Sequence, residues 1–169
     1  TFPGAGVAAM AASRRNIDYI LKNMFPMIIS FDKLNQVRHI RFLKDMDGLA
    51  AHMEKHRALL EPKFRAVLAI LDEGLSGCGS IARWTKPNGG YFLSLYTLGG
   101  CAKRTVQLCR EAGVVLTDAG AAYPYGVDPQ DSNIRIAPTF PPLDELETAS
   151  RLLCVCVRIA TLEKLLQRQ

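Results

Sequence analysis

The chain has 169 residues, 49% of them apolar and 22% charged, an ordinary balance for a globular domain large enough to bury a core. No run of eighteen or more uncharged apolar residues occurs and no basic region precedes the small apolar start, so neither a membrane-spanning helix nor a secretory leader is expected. The formal charge is +5, but apart from Arg14-Arg15 and the 33–44 stretch the basic residues are dispersed, which argues against a nucleic-acid-binding stripe and for a mildly basic, solvated surface.

The chain opens on Thr1-Phe2-Pro3-Gly4-Ala5-Gly6 without a methionine, and is expected to be a piece of something longer. Small residues fill positions 4–12 and lead into Ile17-Asp18-Tyr19-Ile20-Leu21, which predicts a helix whose glycine-containing start allows close approach to a backbone or ligand. Gly4-x-Gly6 lacks the preceding strand and the third glycine of a dinucleotide fingerprint. After Met27-Ile28-Ile29 the polar-interrupted 31–42 segment predicts a turn and then helix. A longer helix is predicted from Asp47, read as its N-cap, with Leu49, Met53, Leu60, Phe64, Val67, Leu68 and Leu71 on one face. Pro62 should kink or break it, and Gly74, Gly77 and Gly79 should end it.

Strands are predicted over 80–85 and 90–96, joined through Lys86-Pro87-Asn88-Gly89 as a hairpin. A helix over 100–111 closes at Gly113, and Val114-Val115-Leu116 reads as a short buried strand. Residues 117–133 form a long loop, a length that often carries function. Then comes Asn133-Ile134-Arg135-Ile136, a strand, and Pro141-Pro142 opening a final helix. Asp144, Glu145 and Glu147 suit its first turns, and Leu146, Ala149, Leu153, Val157 and Ala160 line its apolar face. From residue 46 onward this order predicts an α+β domain with helices on one face of a small sheet. Residues 1–45 are expected to be the tail of a different unit.

Cysteines at 78, 101, 109, 154 and 156 form no CxxC pair, and the histidines at 39, 52 and 56 are not spaced with them as zinc ligands. The cysteines read as reduced packing residues of a cytoplasmic protein, His52 and His56 as surface histidines, and no metal site is expected. Arg135 is the residue that asks for an explanation. Strand alternation turns it away from Ile134 and Ile136, leaving two readings: a structural ion pair, or a rigid fork for a carboxylate or phosphate.

Four stretches taken together resemble the C-terminal part of a fold-type-I, pyridoxal-phosphate-dependent aminotransferase, of the aspartate-aminotransferase-like group sometimes called MocR-like. They are Thr1-Phe2-Pro3-Gly4-Ala5-Gly6-Val7, the 32–39 segment beginning Asp32-Lys33-Leu34-Asn35, Trp84-Thr85-Lys86-Pro87-Asn88-Gly89-Gly90-Tyr91-Phe92, and Gly113-Val114 through to Ser132-Asn133-Ile134-Arg135-Ile136-Ala137-Pro138. The resemblance implies that 1–45 is the end of the cofactor-binding large domain and 46–169 the small domain. It implies that the Schiff-base lysine lies upstream of Thr1, so that the full-length protein is the enzyme and this piece alone is inactive and contains no catalytic residue. Arg135 matches the family's arginine for the substrate α-carboxylate.

The family's phosphate-contacting arginine has no counterpart in Gly6-Val7-Ala8-Ala9, since no arginine occurs before Arg14. The expectation is therefore that Thr1, Gly4 and Gly6 bind the cofactor phosphate through backbone N–H groups at a helix start. Arg38 is the candidate for the family's second, side-chain-selecting arginine, against a plain surface charge. The implied partners are an amino acid (aspartate among the candidates), a 2-oxo acid and a second copy in a homodimer. The alternative is a non-catalytic truncated module that self-associates through apolar surface in 1–45.

Overall fold

The computed structural model describes residues 5–28 and 30–167; Thr1, Gly4 and Ile29 lie outside them. The elements are α1 (Arg14–Met24), α2 (Lys33–Leu43), α3 (Met46–Leu75), β1 (Ala82–Trp84), β2 (Leu93–Thr97), α4 (Ala102–Glu111), a short 3₁₀ turn (Pro124–Gly126), β3 (Asn133–Ile136) and α5 (Leu143–Leu166). The three strands form an antiparallel sheet in the order β1-β2-β3, so the class is α+β. Thr1–Ala58 and Leu59–Gln169 form two compact units. Their division falls inside α3, at the residue whose carbonyl Pro62 cannot hydrogen-bond. Of the kink or break expected at Pro62, the break does not occur: α3 is continuous through it.

In the first unit, residues 5–13 are irregular, and the helix expected at the glycines begins only at Arg14, where the Ser13 hydroxyl accepts the Asn16 N–H at 3.4 Å. Serine is a good cap and the small residues before it are not. Asp32 caps α2 by accepting the Asn35 N–H at 2.9 Å. Asp45, not Asp47, caps α3, its carboxylate accepting the Gly48 N–H at 2.8 Å; Asp47 already lies in the first turn. Asn35 is the only buried residue among those described in this unit, while Tyr19, Phe25, Leu34 and Ile40 are exposed.

The second unit has a full core. Leu93 and Leu95 of β2 pair with Ile136 and Ile134 of β3 and share one sheet face. Against them pack Val67, Leu71 and Leu75 of α3, Val106 and Cys109 of α4, and Leu153 and Val157 of α5. Gly74 lies inside α3 rather than past its end; a Cβ there would come within 2.9 Å of the Cys154 Cβ and Sγ, so glycine lets α3 and α5 approach. Gly113, at φ +90°, closes α4, with the Val114 N–H on the Cys109 carbonyl and the Gly113 N–H on that of Arg110. Beyond it, Val114-Val115-Leu116 is not a strand: the segment has no ladder partner among the described residues, and Val115 is 79% exposed. Burial, with Cys156 beside it, pushes the Cys109 thiol up to about 12, and burial pushes Cys154 up to about 11, so these are packing groups rather than nucleophiles.

The loop before β3 is the most heavily bonded irregular segment. Buried Asp128 accepts the N–H groups of Gln130 (2.9 Å), Ser132 (2.7 Å) and Asn133 (2.8 Å) and the Ser132 hydroxyl (3.3 Å). Asp131 then caps α4 from a distance in sequence: its carbonyl accepts from Gly100, Cys101 and Ala102, and its carboxylate from Lys103. The entry to β3 and the start of α4 are thereby locked together.

Burial pushes the Asp128 carboxyl up, but the hydrogen bonds from Ser132, Asn133 and Gln130 outweigh it and hold it below the usual carboxylate range. A carboxyl lowered in the folded state contributes stability that is complete above its unfolded value, near 3.9, and lost as pH falls through the folded value. Asp128→Ala, which leaves buried N–H groups without an acceptor, should lower unfolding free energy by about 2–4 kcal/mol in urea titrations. The same variant should also flatten the loss of stability below about pH 4.

Candidate functional site

Arg135 sits in the middle of β3, opposite Ser94 of β2. The ladder fixes its backbone, and alternation puts its side chain on the face away from the apolar core. Two polar clamps hold the strand at its ends. Asp128 takes the N–H groups at its start, and beyond it the Lys63 ammonium donates to the carbonyls of Thr139 (2.9 Å) and Pro141 (2.6 Å). The 137–142 turn into α5 is thus tied back to α3.

Two observations bear on the two readings of this arginine. Among the described residues Arg135 has no ion pair, and its Nε is buried without a hydrogen-bond partner. A buried guanidinium donor left unmade is costly, which is what a site awaiting an acceptor looks like. Its Cζ lies over the Phe92 ring, 4.7 Å from the centroid. Asn133, on the same face and 2% exposed, has an unpartnered Oδ1. Arg83 of β1 lies over Tyr96 at 4.0 Å. This face therefore carries two cations and two aromatic rings.

A cavity of about 550 Å³ borders Arg135, Ile136 and Ala137, walled by 114–117 and the first turns of α5. It also carries Asp144 and Glu145, which repel an anion, so its volume is no argument for a carboxylate site.

The other expected site residues are not gathered with Arg135. Thr1 and Gly4 lie outside the described residues. Gly6 is in irregular chain, its carbonyl accepting from the Asn35 amide at 3.1 Å, with no helix start there to hold a phosphate. The described residues thus do not by themselves make a pyridoxal phosphate site, and no chemical step is assigned through that group. Arg14, the first arginine, pairs with Asp18 at 3.0 Å. Arg38 is exposed on α2, in the first unit. His52 and His56 face each other at 3.1 Å between Nε2 atoms, and among the described residues no cluster of three or more metal-ligating side chains forms.

Asp128 and Lys63 were missed by the sequence reading. Asp128-Pro129-Gln130 has the Asx-turn pattern that could have revealed the first. Nothing local marks the second, whose bonds span more than seventy residues.

The model of the aspartate amino-transferase family matches residues 1–169. A provisionally named aminotransferase of Mycolicibacterium smegmatis is 49% identical over 166 residues, covering 98% of this chain and 39% of that protein. The crystal structure of an aspartate transaminase from Corynebacterium glutamicum aligns with a TM-score of 0.81 at 43% identity, over 90% of this chain and 36% of that one. An α-aminoadipate aminotransferase from Thermus thermophilus, solved with N-(5'-phosphopyridoxyl)-L-leucine, shares the fold at a TM-score of 0.73 and 20% identity, over 94% of this chain and 39% of that one. The chain spans about two-fifths of the length of the relatives it matches.

Lys63→Met should cost about 1.5–3 kcal/mol in chemical denaturation, the worth of hydrogen bonds from a charged donor. It should also speed amide exchange across 137–142. Unchanged stability and exchange would show the Lys63 bonds to be incidental.

Proposed function

We propose a function for a chain that belongs to the aspartate amino-transferase family: within a longer pyridoxal-phosphate-dependent aminotransferase, it grips the substrate α-carboxylate through Arg135. The reaction would move an amino group between an amino acid, aspartate among the candidates, and a 2-oxo acid. The observation that carries the reading is the unpaired guanidinium, fixed mid-strand with its Nε buried and no acceptor among the described residues. A planar fork meets a carboxylate with two parallel bonds, which lysine cannot do.

In this proposal residues 1–45 end the cofactor-binding domain, 46–169 make up the small domain, and Thr1, Gly4 and Gly6 approach the cofactor phosphate. That the Thermus thermophilus relative was solved with a phosphopyridoxyl amino acid supports the choice of cofactor. The chain's own contribution is binding and orientation: it holds one end of the substrate so that the reacting carbon is presented in a fixed place.

A second reading, self-association, is favoured by the exposed apolar side chains of the first unit, among them Met27 at 83% and Leu34 at 72%. Sedimentation of the 169-residue chain should show concentration-dependent association, and a monomer across the micromolar range would exclude it. For the enzymatic reading, Arg135→Ala in the full-length protein should lower kcat/KM on the order of 10²–10³-fold with the amino acid turned over fastest, L-aspartate being tried first. Arg135→Lys should recover only part of the loss. Near-normal turnover by the alanine variant would overturn the assignment.

A further inference from the structure

An arginine with no ion pair has a long, rotamer-rich side chain and nothing ionic to aim it. Here the contact recorded for the guanidinium is a ring: Cζ of Arg135 lies over Phe92, 4.7 Å from the centroid. Phe92 immediately precedes β2, two residues before Ser94, the ladder partner of Arg135. The register that fixes the arginine's backbone therefore fixes the ring beside it.

Phe92 is 50% exposed and is absent from the packed core. Its neighbour in sequence, Leu93, is 1% exposed and inside that core. Core packing explains Leu93 and leaves a large half-exposed aromatic at position 92 unexplained. A phenyl ring attracts the cation through its quadrupole yet offers no acceptor oxygen, so it takes up none of the N–H groups of the fork. A carboxylate at the same place would also hold the arginine, but it would occupy the fork. Tyr96 and Arg83 repeat the contact on the neighbouring strand pair at 4.0 Å; among the described residues Arg135 alone combines it with a buried, unpartnered Nε.

We propose that Phe92 is a positioning residue, whose ring holds the Arg135 fork in one orientation for the substrate α-carboxylate. The proposal rests on the assignment of Arg135 given above. A ring that organises a binding group in advance lowers the ordering cost of each binding event, so its loss appears in substrate affinity rather than in fold stability. Amino acid and 2-oxo acid carry the same carboxylate, so both suffer alike.

The test uses the full-length enzyme loaded with its cofactor, each half-reaction being followed by the cofactor's absorbance, with L-aspartate and with oxaloacetate, its 2-oxo acid, or with the corresponding pair for the amino acid turned over fastest. Phe92→Leu and Phe92→Met should raise the half-saturating concentration of both substrates by roughly 3–30-fold, the range of a partly desolvated cation–π contact, with the limiting rate changed less. Phe92→Tyr and Phe92→Trp should restore affinity, and the melting temperature should barely move. In an Arg135→Ala background, Phe92→Leu should have no further effect on substrate affinity.

The outcomes separate the two claims. Normal turnover by Arg135→Ala defeats the carboxylate assignment itself. If Arg135→Ala is impaired but Phe92→Leu keeps wild-type half-saturation, the positioning role is overturned. It is equally overturned if the aromatic variants are as impaired as leucine, or if Phe92→Leu is as damaging without Arg135 as with it. Failure of both aliphatic variants to fold would make Phe92 a structural element and also reject the proposal.

Discussion

The Asp128 carboxylate is the interaction on which the rest of the second unit depends. It is buried, and it gathers the N–H groups of Gln130, Ser132 and Asn133 just where the chain leaves an irregular loop and must enter β3 in register. A strand of four residues holds little register information of its own, and a slip by one residue would exchange its faces. Ile134 and Ile136 would then meet solvent and Arg135 the core. Anchoring the first residue of the strand removes that freedom. Asp131, three residues on, applies the same chemistry to the N–H groups at the start of α4, which have no partner within the helix. The two acids turn a loop into a joint between strand and helix.

Arg135 inherits its precision from this joint. A guanidinium presented from a strand clamped by Asp128 on one side and by Lys63 beyond it on the other moves with the sheet, not with a loop. Its Nε is removed from water without a partner among the described residues, a destabilising arrangement worth about 1–3 kcal/mol. A chain selected for stability alone would place a carboxylate there or replace the arginine by an apolar residue. The same side chain is also too well supported to be an accident of the surface, since a ring lies beside it and the ladder fixes its backbone.

Much of this was legible in the sequence because the informative signals are local. Alternation around Arg135 gave its face, Pro141-Pro142 with the following acids gave the last helix, and Gly113 gave the end of α4. The misreadings share a different character. Val114-Val115-Leu116 has the composition of a strand, yet a strand is defined by its neighbour and none is present among the described residues. Pro62 breaks isolated helices, but α3 runs through it with buried Val67, Ile70 and Leu71 downstream. Asp47 has the chemistry of a cap, but it lies already in the first turn of α3, and it is the Asp45 carboxylate that accepts the Gly48 N–H. At Gly6 the permissiveness of glycine suggests a helix start, whereas Ser13 has the chemistry that begins one. Lys63 had no signal, since its partners lie across the fold.

The two units differ in a way that bears on how the chain should be regarded. Leu59–Gln169 closes its core with its own residues; in Thr1–Ala58 the only buried residue among those described is the polar Asn35. Helices in water owe most of their stability to the packing of an apolar face, and α1 and α2 expose theirs. Their sequences nevertheless carry well-made caps at Ser13, Asp32 and Asp45, which set where each helix starts without stabilising it much. Capping and packing are separate demands, and only the first is met within the first unit. The setting of Arg135 is different: Ser94, Phe92, Asp128 and Lys63, which fix or flank its strand, all lie in the unit that packs its own core.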